Sequence, residues 1–156
     1  MNCHRYNIKE IHWNMPAIDQ CEAEVIRALQ KSGWRVTHQP FAIKIERSRA
    51  GYIYADLRLQ RESDSANIIV VEVKCFDSSR TLLEEFYHAV GQYLVYRNAL
   101  QANQINVSVY LTVPIAVYKE FFLQPLIQSV VKDIHLNVIV IDLDHEEVSQ
   151  WIISNQ

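Results

Sequence analysis

Residues 68–75 read IIVVEVKC, and this stretch decides the fold. A near-continuous run of Ile and Val predicts a strand covered on both faces, as in a sheet with helices on each side. Two charges interrupt it. Glu72 and Lys74 are two residues apart, so on a strand both project to one face, while Val71, Val73 and Cys75 project to the other. Charges in such a strand lose hydration, which is costly unless partners recover it.

The segment before it, YIYADL at 52–57, supplies another charge. A strand is predicted from Gly51 to Leu59, with the polar QRESDSAN at 60–67 as the connection. If the two strands are antiparallel neighbours, Asp56 lies across from Glu72. Two readings of this trio follow. Asp56 and Glu72 could supply hard oxygen ligands to Mg²⁺, with Lys74 orienting or deprotonating a water for phosphodiester hydrolysis. Alternatively, Asp56, Glu72 and Lys74 form a buried structural ion network. Spacing alone leaves both open.

Working outward, Cys21, Val25, Ala28 and Leu29 predict a first helix over 19–31, stopped by Ser32-Gly33. Glu22 sits beside its apolar stripe, either turned towards the sheet or serving as an ordinary first-turn acid. Trp34 and Val36, then Phe41, Ile43 and Ile45, alternate as strands around Pro40. A long helix, capped by Asp77, Ser78 or Ser79, reaches Ala102 and carries a polar stripe of Glu85, His88, Gln92 and Tyr96. Gly91 interrupts that helix at a cost of about 1 kcal/mol against alanine, which close packing on the sheet or room for a substrate would explain. Residues 106–113 predict a strand, 116–133 a helix kinked at Pro125, and 138–141 a final core strand, with Trp151 docking the tail. The order is a mixed sheet flanked by helices, an α/β fold.

The 156 residues fit one domain, 15–156, preceded by an N-terminal extension at 1–14 that reads as an arm or a disordered leader. With 49% apolar residues the chain is not disordered. Its three glycines, Gly33, Gly51 and Gly91, cannot form a phosphate-cradling loop, which excludes P-loop ATPases and dinucleotide-binding units. The net charge of −3 hides an asymmetry: residues 1–61 hold 10 basic and 6 acidic side chains, residues 62–156 hold 5 and 12. Lys44, Arg47, Arg49, Arg58 and Arg61 are a candidate basic patch or a solvated hairpin rim. Cys3, Cys21 and Cys75 lack metal-site spacing, and Cys75 reads as an inert core thiol. No run reaches the roughly 18 apolar residues of a membrane span. The expectation is a reduced, soluble, cytoplasmic protein with no membrane association.

Several longer stretches carry a family likeness: MPAIDQCEAEVIRALQKSGWRVTHQPFAIKI at 15–45, YIYADLRL at 52–59, VVEVKCF at 70–76 and FYHAVGQYLVYRNAL at 86–100. LTVPIAVYKEFFLQPLIQSVV at 111–131 and LNVIVIDLDHEEVSQWI at 136–152 extend it. The chain resembles the XisH family of cyanobacterial proteins, named as controlling factors for excision of the fdxN element. That family is similar in turn to the PD-(D/E)XK, or restriction-endonuclease-like, superfamily. The resemblance implies a three-layer fold with a central mixed sheet and a site formed by Glu22, Asp56, Glu72, Lys74 and Gln92. Ala55 stands where a proline often precedes the strand aspartate.

The superfamily likeness implies Mg²⁺-dependent DNA cleavage, with Asp56 and Glu72 as metal ligands. The family name implies a recombination role beside a small XisI-like partner. A nuclease and a noncatalytic interaction or regulatory protein, forming a homo-oligomer such as a dimer, are the two resulting expectations. For the second, the stripe Tyr118, Phe121, Phe122 and Leu126 is a candidate interface as well as a candidate core.

Overall fold

The computed structural model describes residues 20–46, 51–77 and 79–154. The extension 1–14, Cys3, Arg47, Arg49 and the candidate cap Ser78 lie outside them.

Six strands form the main sheet: β1 (Trp34–His38), β4 (Leu57–Arg61), β5 (Asp64–Val73), β6 (Ser108–Pro114), β7 (Val138–Asp142) and β8 (Glu147–Ile152), in the order β1-β4-β5-β6-β7-β8. β5, β6 and β7 run parallel and the remaining neighbours antiparallel, so the sheet is mixed. A separate hairpin joins β2 (Phe41–Lys44) to β3 (Tyr52–Ala55). The parallel links pass through helices, as crossovers require: α2 (Leu82–Ala102) between β5 and β6, then α3 (Ile115–Val117) and α4 (Pro125–Asp133) between β6 and β7.

β5 is buried on both faces, as IIVVEV requires. Val70 joins the core beneath α2 with Phe86, Ala89, Tyr93 and Leu100. Ile69, Val71 and Val73 join the opposite core beneath α1 (Glu22–Lys31), with Val25, Ala28 and Leu29. Each core thus takes one side of the alternating strand. The structure is an α/β fold with a mixed central sheet flanked by helices.

Six expectations change. The strand predicted from Gly51 to Leu59 is two strands, bent at Asp56 where the chain leaves the small hairpin and enters the main sheet. QRESDSAN is mostly strand: β4 and β5 extend through it and only residues 62–63 turn, because backbone pairing at an exposed hairpin tip needs no apolar face. Thr81 caps α2, its hydroxyl accepting from the Glu84 N–H while Glu84 reaches back to the Thr81 N–H, a capping box that displaces Asp77 and Ser79. The helix expected over 116–133 is interrupted by a π-helical turn at Tyr118–Phe122, and Pro125 starts α4 at its first turn. Trp151 belongs to an edge strand, β8, rather than a docked tail, and rests on Trp34 and Tyr110. Gly91 does not pack closely on the sheet, since a Cβ there would meet nothing within 4 Å.

The cysteines are also corrected. Cys21 and Cys75 are joined by a disulfide, Cα to Cα 5.8 Å, so Cys75 is not a free core thiol. Phe121 and Phe122 are buried against Phe86, which makes them core rather than interface. No helix among the described residues is long and apolar enough to cross a membrane.

Candidate functional site

The site is built where β5 ends. Leu57 pairs with Val71 in the antiparallel β4–β5 ladder, so continuing that register past Leu57 sets Asp56 across from Glu72. The bend at Asp56 turns its carboxylate onto the end of β5, where Oδ2 accepts the Val73 N–H at 2.7 Å. Glu72 is 1% exposed and Asp56 8%. Lys74, just past the strand, brings Nζ to 3.6 Å from Glu72 Oε1, with its own side chain 12% exposed.

Glu22 begins α1 and is 5% exposed. Its Oε1 accepts from Gln39 Nε2 at 2.5 Å. The disulfide places it: Cys21 immediately precedes Glu22 and Cys75 immediately follows Lys74, so the Cys21–Cys75 bond ties the start of α1 to the end of β5. On the other face of the sheet, α2 presents Tyr96. Its hydroxyl donates to the Tyr54 carbonyl at 2.9 Å and receives Gln92 Nε2 at 3.4 Å. His88 Nδ1 lies 3.2 Å from Gln92 Oε1. Tyr96 is also within hydrogen-bonding reach of Glu72. The polar stripe of α2 therefore runs from the exposed His88 inward through Gln92 and Tyr96 to the acidic cluster.

Electrostatics mark the cluster as crowded with negative charge. Burial, followed by the neighbouring Glu22 carboxylate, pushes Asp56 up to about 6, against the lowering effects of the Val73 N–H, Lys74 and Glu72. Glu72 lies beside Asp56, and its side chain is among the groups that hold the Asp56 value down. Burial and the Glu72 charge likewise push the Tyr96 phenol well above its ordinary range.

All five residues named from sequence thus converge. Glu22, Asp56, Glu72 and Lys74 form the cluster, and Gln92 reaches it through Tyr96. Sequence reasoning missed Gln39, although the neighbouring Pro40 marks it as the residue where the chain leaves β1. It also missed the disulfide, whose signal was a cysteine next to each of two site residues. Of the candidate basic patch, the Arg58 guanidinium donates to Thr37 Oγ1 at 2.8 Å and lies over Phe41, Arg61 lies over Trp34, and Lys44 is exposed.

Asp56 and Glu72 offer the oxygen chemistry of a Mg²⁺ site, but Mg²⁺ usually keeps several of its waters. With Glu72 1% exposed and Lys74 Nζ 3.6 Å from its Oε1, a hydrated ion would reach both carboxylates only if the cluster opened. Among the described residues no three His, Cys, Asp or Glu side chains are grouped to hold a metal.

Fold and site together define a mixed-sheet α/β protein with an acid–lysine cluster at the end of a buried strand. Residues 15–149 match the protein family described as XisH protein, and the chain belongs to the XisH family. The crystal structure of an XisH family protein from Nostoc punctiforme PCC 73102 is 31% identical. That match covers 83% of this chain and 96% of that one, with a TM-score of 0.73. The structure of an fdxN element excision controlling factor protein from Anabaena variabilis is 30% identical over 86% and 99% of the respective chains, with a TM-score of 0.74. No curated protein matches the chain significantly.

Proposed function

We propose that this chain is a noncatalytic controlling factor for excision of a mobile DNA element, acting through a small XisI-like partner. The role follows the Anabaena variabilis relative, an fdxN element excision controlling factor. The observation that carries the noncatalytic part is the sealing of the cluster: Glu72 is 1% exposed and its carboxylate is already engaged by Lys74 at 3.6 Å. A charge network closed in this way holds α1, β4 and β5 in one arrangement, at some cost in stability, rather than receiving a phosphodiester. A partner surface is offered by the outer face of α2, where Leu83, Tyr87 and Val95 are exposed at four-residue and eight-residue spacing around Gly91.

The second reading is a restriction-endonuclease-like, Mg²⁺-dependent DNA nuclease. Its support is the convergence of Asp56, Glu72 and Lys74, with Glu22 and Gln92 close by. It requires the cluster to open to a hydrated cation.

Incubating the protein with plasmid and linear DNA in Mg²⁺, beside Asp56→Ala and Lys74→Ala, separates the readings. The proposal expects no cleavage that depends on either residue, together with a complex between the wild-type chain and a XisI-like protein in size-exclusion light scattering. Cleavage lost in both variants while they stay folded overturns it in favour of the nuclease.

A further inference from the structure

At the opposite end of the sheet from the cluster, where β6 and β7 begin, the structure holds a cavity of about 400 Å³. Its polar wall includes Arg97, Gln101, Asn106, Ser108, Asn137 and Ser154, and none of the described residues lining it is Asp or Glu. That is unexpected in the half of the chain where acids outnumber bases 12 to 5. Arg97 makes no ion pair with any described residue.

The wall is built in advance. Arg97 Nη1 donates to the Ile134 carbonyl at 2.5 Å, and its guanidinium lies 5.5 Å from the centre of the Tyr93 ring. Tyr93 donates in turn to the His135 carbonyl at 2.8 Å, so guanidinium, ring and turn hold one another. Asn137 fixes the floor: its amide nitrogen donates to the Val109 carbonyl, and its Oδ1 accepts the Ser154 N–H. A guanidinium carries five N–H donors in a rigid fork, and one bond to a carbonyl leaves most of them for a ligand. The C-terminal end of α2 points its dipole against an anion here. That opposition is reduced because the Ala99, Leu100 and Gln101 carbonyls accept the N–H groups of Asn103, Ile105 and Gln104.

We infer that this cavity is a binding site for a phosphate monoester of mononucleotide size, with Arg97 taking the phosphate and the amide and hydroxyl groups of the wall taking the remainder. The volume lies within the ordinary range for small-molecule sites, about 300–1,000 Å³. A fixed guanidinium with no described acid paired to it is suited to recognising phosphate bidentately. The site is separate from the acid–lysine cluster and stands whether that cluster is catalytic or not.

The test is a backbone-amide NMR titration of the full chain with inorganic phosphate, the four ribonucleoside monophosphates and the four free nucleosides. Saturable shifts at Gln104–Val109, Asn137 and Ser154 are expected with at least one monophosphate, and affinity for its nucleoside should be about tenfold weaker or worse. Arg97→Met should lose the binding. Gln101→Glu, an exposed position whose change puts an acid in the wall, should weaken it by about tenfold with an unchanged melting temperature. No saturable shift with any phosphate-bearing probe, shifts centred on Asp56 and Glu72 instead, or equal affinity in Gln101→Glu would each overturn the assignment.

Discussion

Replacing Asp56 by Asn should make the protein more stable at neutral and alkaline pH, and the gain should vanish in acid. Asp56 is raised from 3.8 to about 6, first by burial and then by the Glu22 charge. A folded-state value above the unfolded one means that the fold prefers the protonated carboxyl. The stabilisation from that preference is complete below about pH 4 and is lost as pH rises through about 6. Two units at about 1.4 kcal/mol each amount to roughly 3 kcal/mol of stability forgone above pH 7. Asn reproduces the neutral carboxyl, and its carbonyl oxygen can still accept the Val73 N–H. Urea unfolding of both proteins from about pH 4 to about pH 8, extrapolated linearly to water, gives the difference at each pH. That difference should grow by up to about 3 kcal/mol in favour of Asp56→Asn, mostly between about pH 4 and 6, where the unfolded chain has lost the Asp56 proton and the folded chain still holds it. Because Glu72 acts directly on the Asp56 carboxyl, the midpoint belongs to the pair. A difference flat across the range would refute the reasoning, since it would mean that the carboxylate is well solvated or well paired.

Three further outcomes follow from separate parts of the fold. Reducing the Cys21–Cys75 disulfide, which closes a 54-residue separation, should lower stability by about 4 kcal/mol on the chain-entropy relation; an unmoved denaturation midpoint in reductant would contradict the bond. Thr112 is fully buried in β6 and its hydroxyl has no hydrogen-bond partner among the described residues. Thr112→Val should therefore be neutral or stabilising by about 1 kcal/mol in calorimetry, and a loss larger than that would reveal a partner for the hydroxyl. Gly91→Ala should stabilise the isolated chain by about 1 kcal/mol, because nothing lies within 4 Å of the added methyl; destabilisation would place a contact there.

Much of the site was legible because two simple periodicities met. The run of Ile and Val in IIVVEVKC required a doubly covered strand, and its period of two placed Glu72 with Lys74 and apart from Val71 and Val73. Antiparallel pairing with the preceding strand then carried Asp56 to Glu72. The break at Asp56 was hidden, since a chain passing from one sheet to another stays extended and keeps the same alternation. β8 was hidden for a related reason: EVSQWI is an edge strand, half exposed, and carries little of the apolar pattern that marks β5 or β7. The π-helical turn at Tyr118–Phe122 preserves the spacing of a helix core closely enough that its aromatics read equally as surface. Sealing of the cluster depends on α1, the bend at Asp56 and α2 meeting over the end of β5. No single stretch of sequence records that closure.

The most direct measurement is a crystal of the wild-type protein soaked in Mn²⁺ and examined by anomalous scattering. A closed acid–lysine cluster should show no manganese between Asp56 and Glu72, with Lys74 still against Glu72. A well-occupied ion coordinated by both carboxylates, with Lys74 displaced, would contradict the account and restore the nuclease reading.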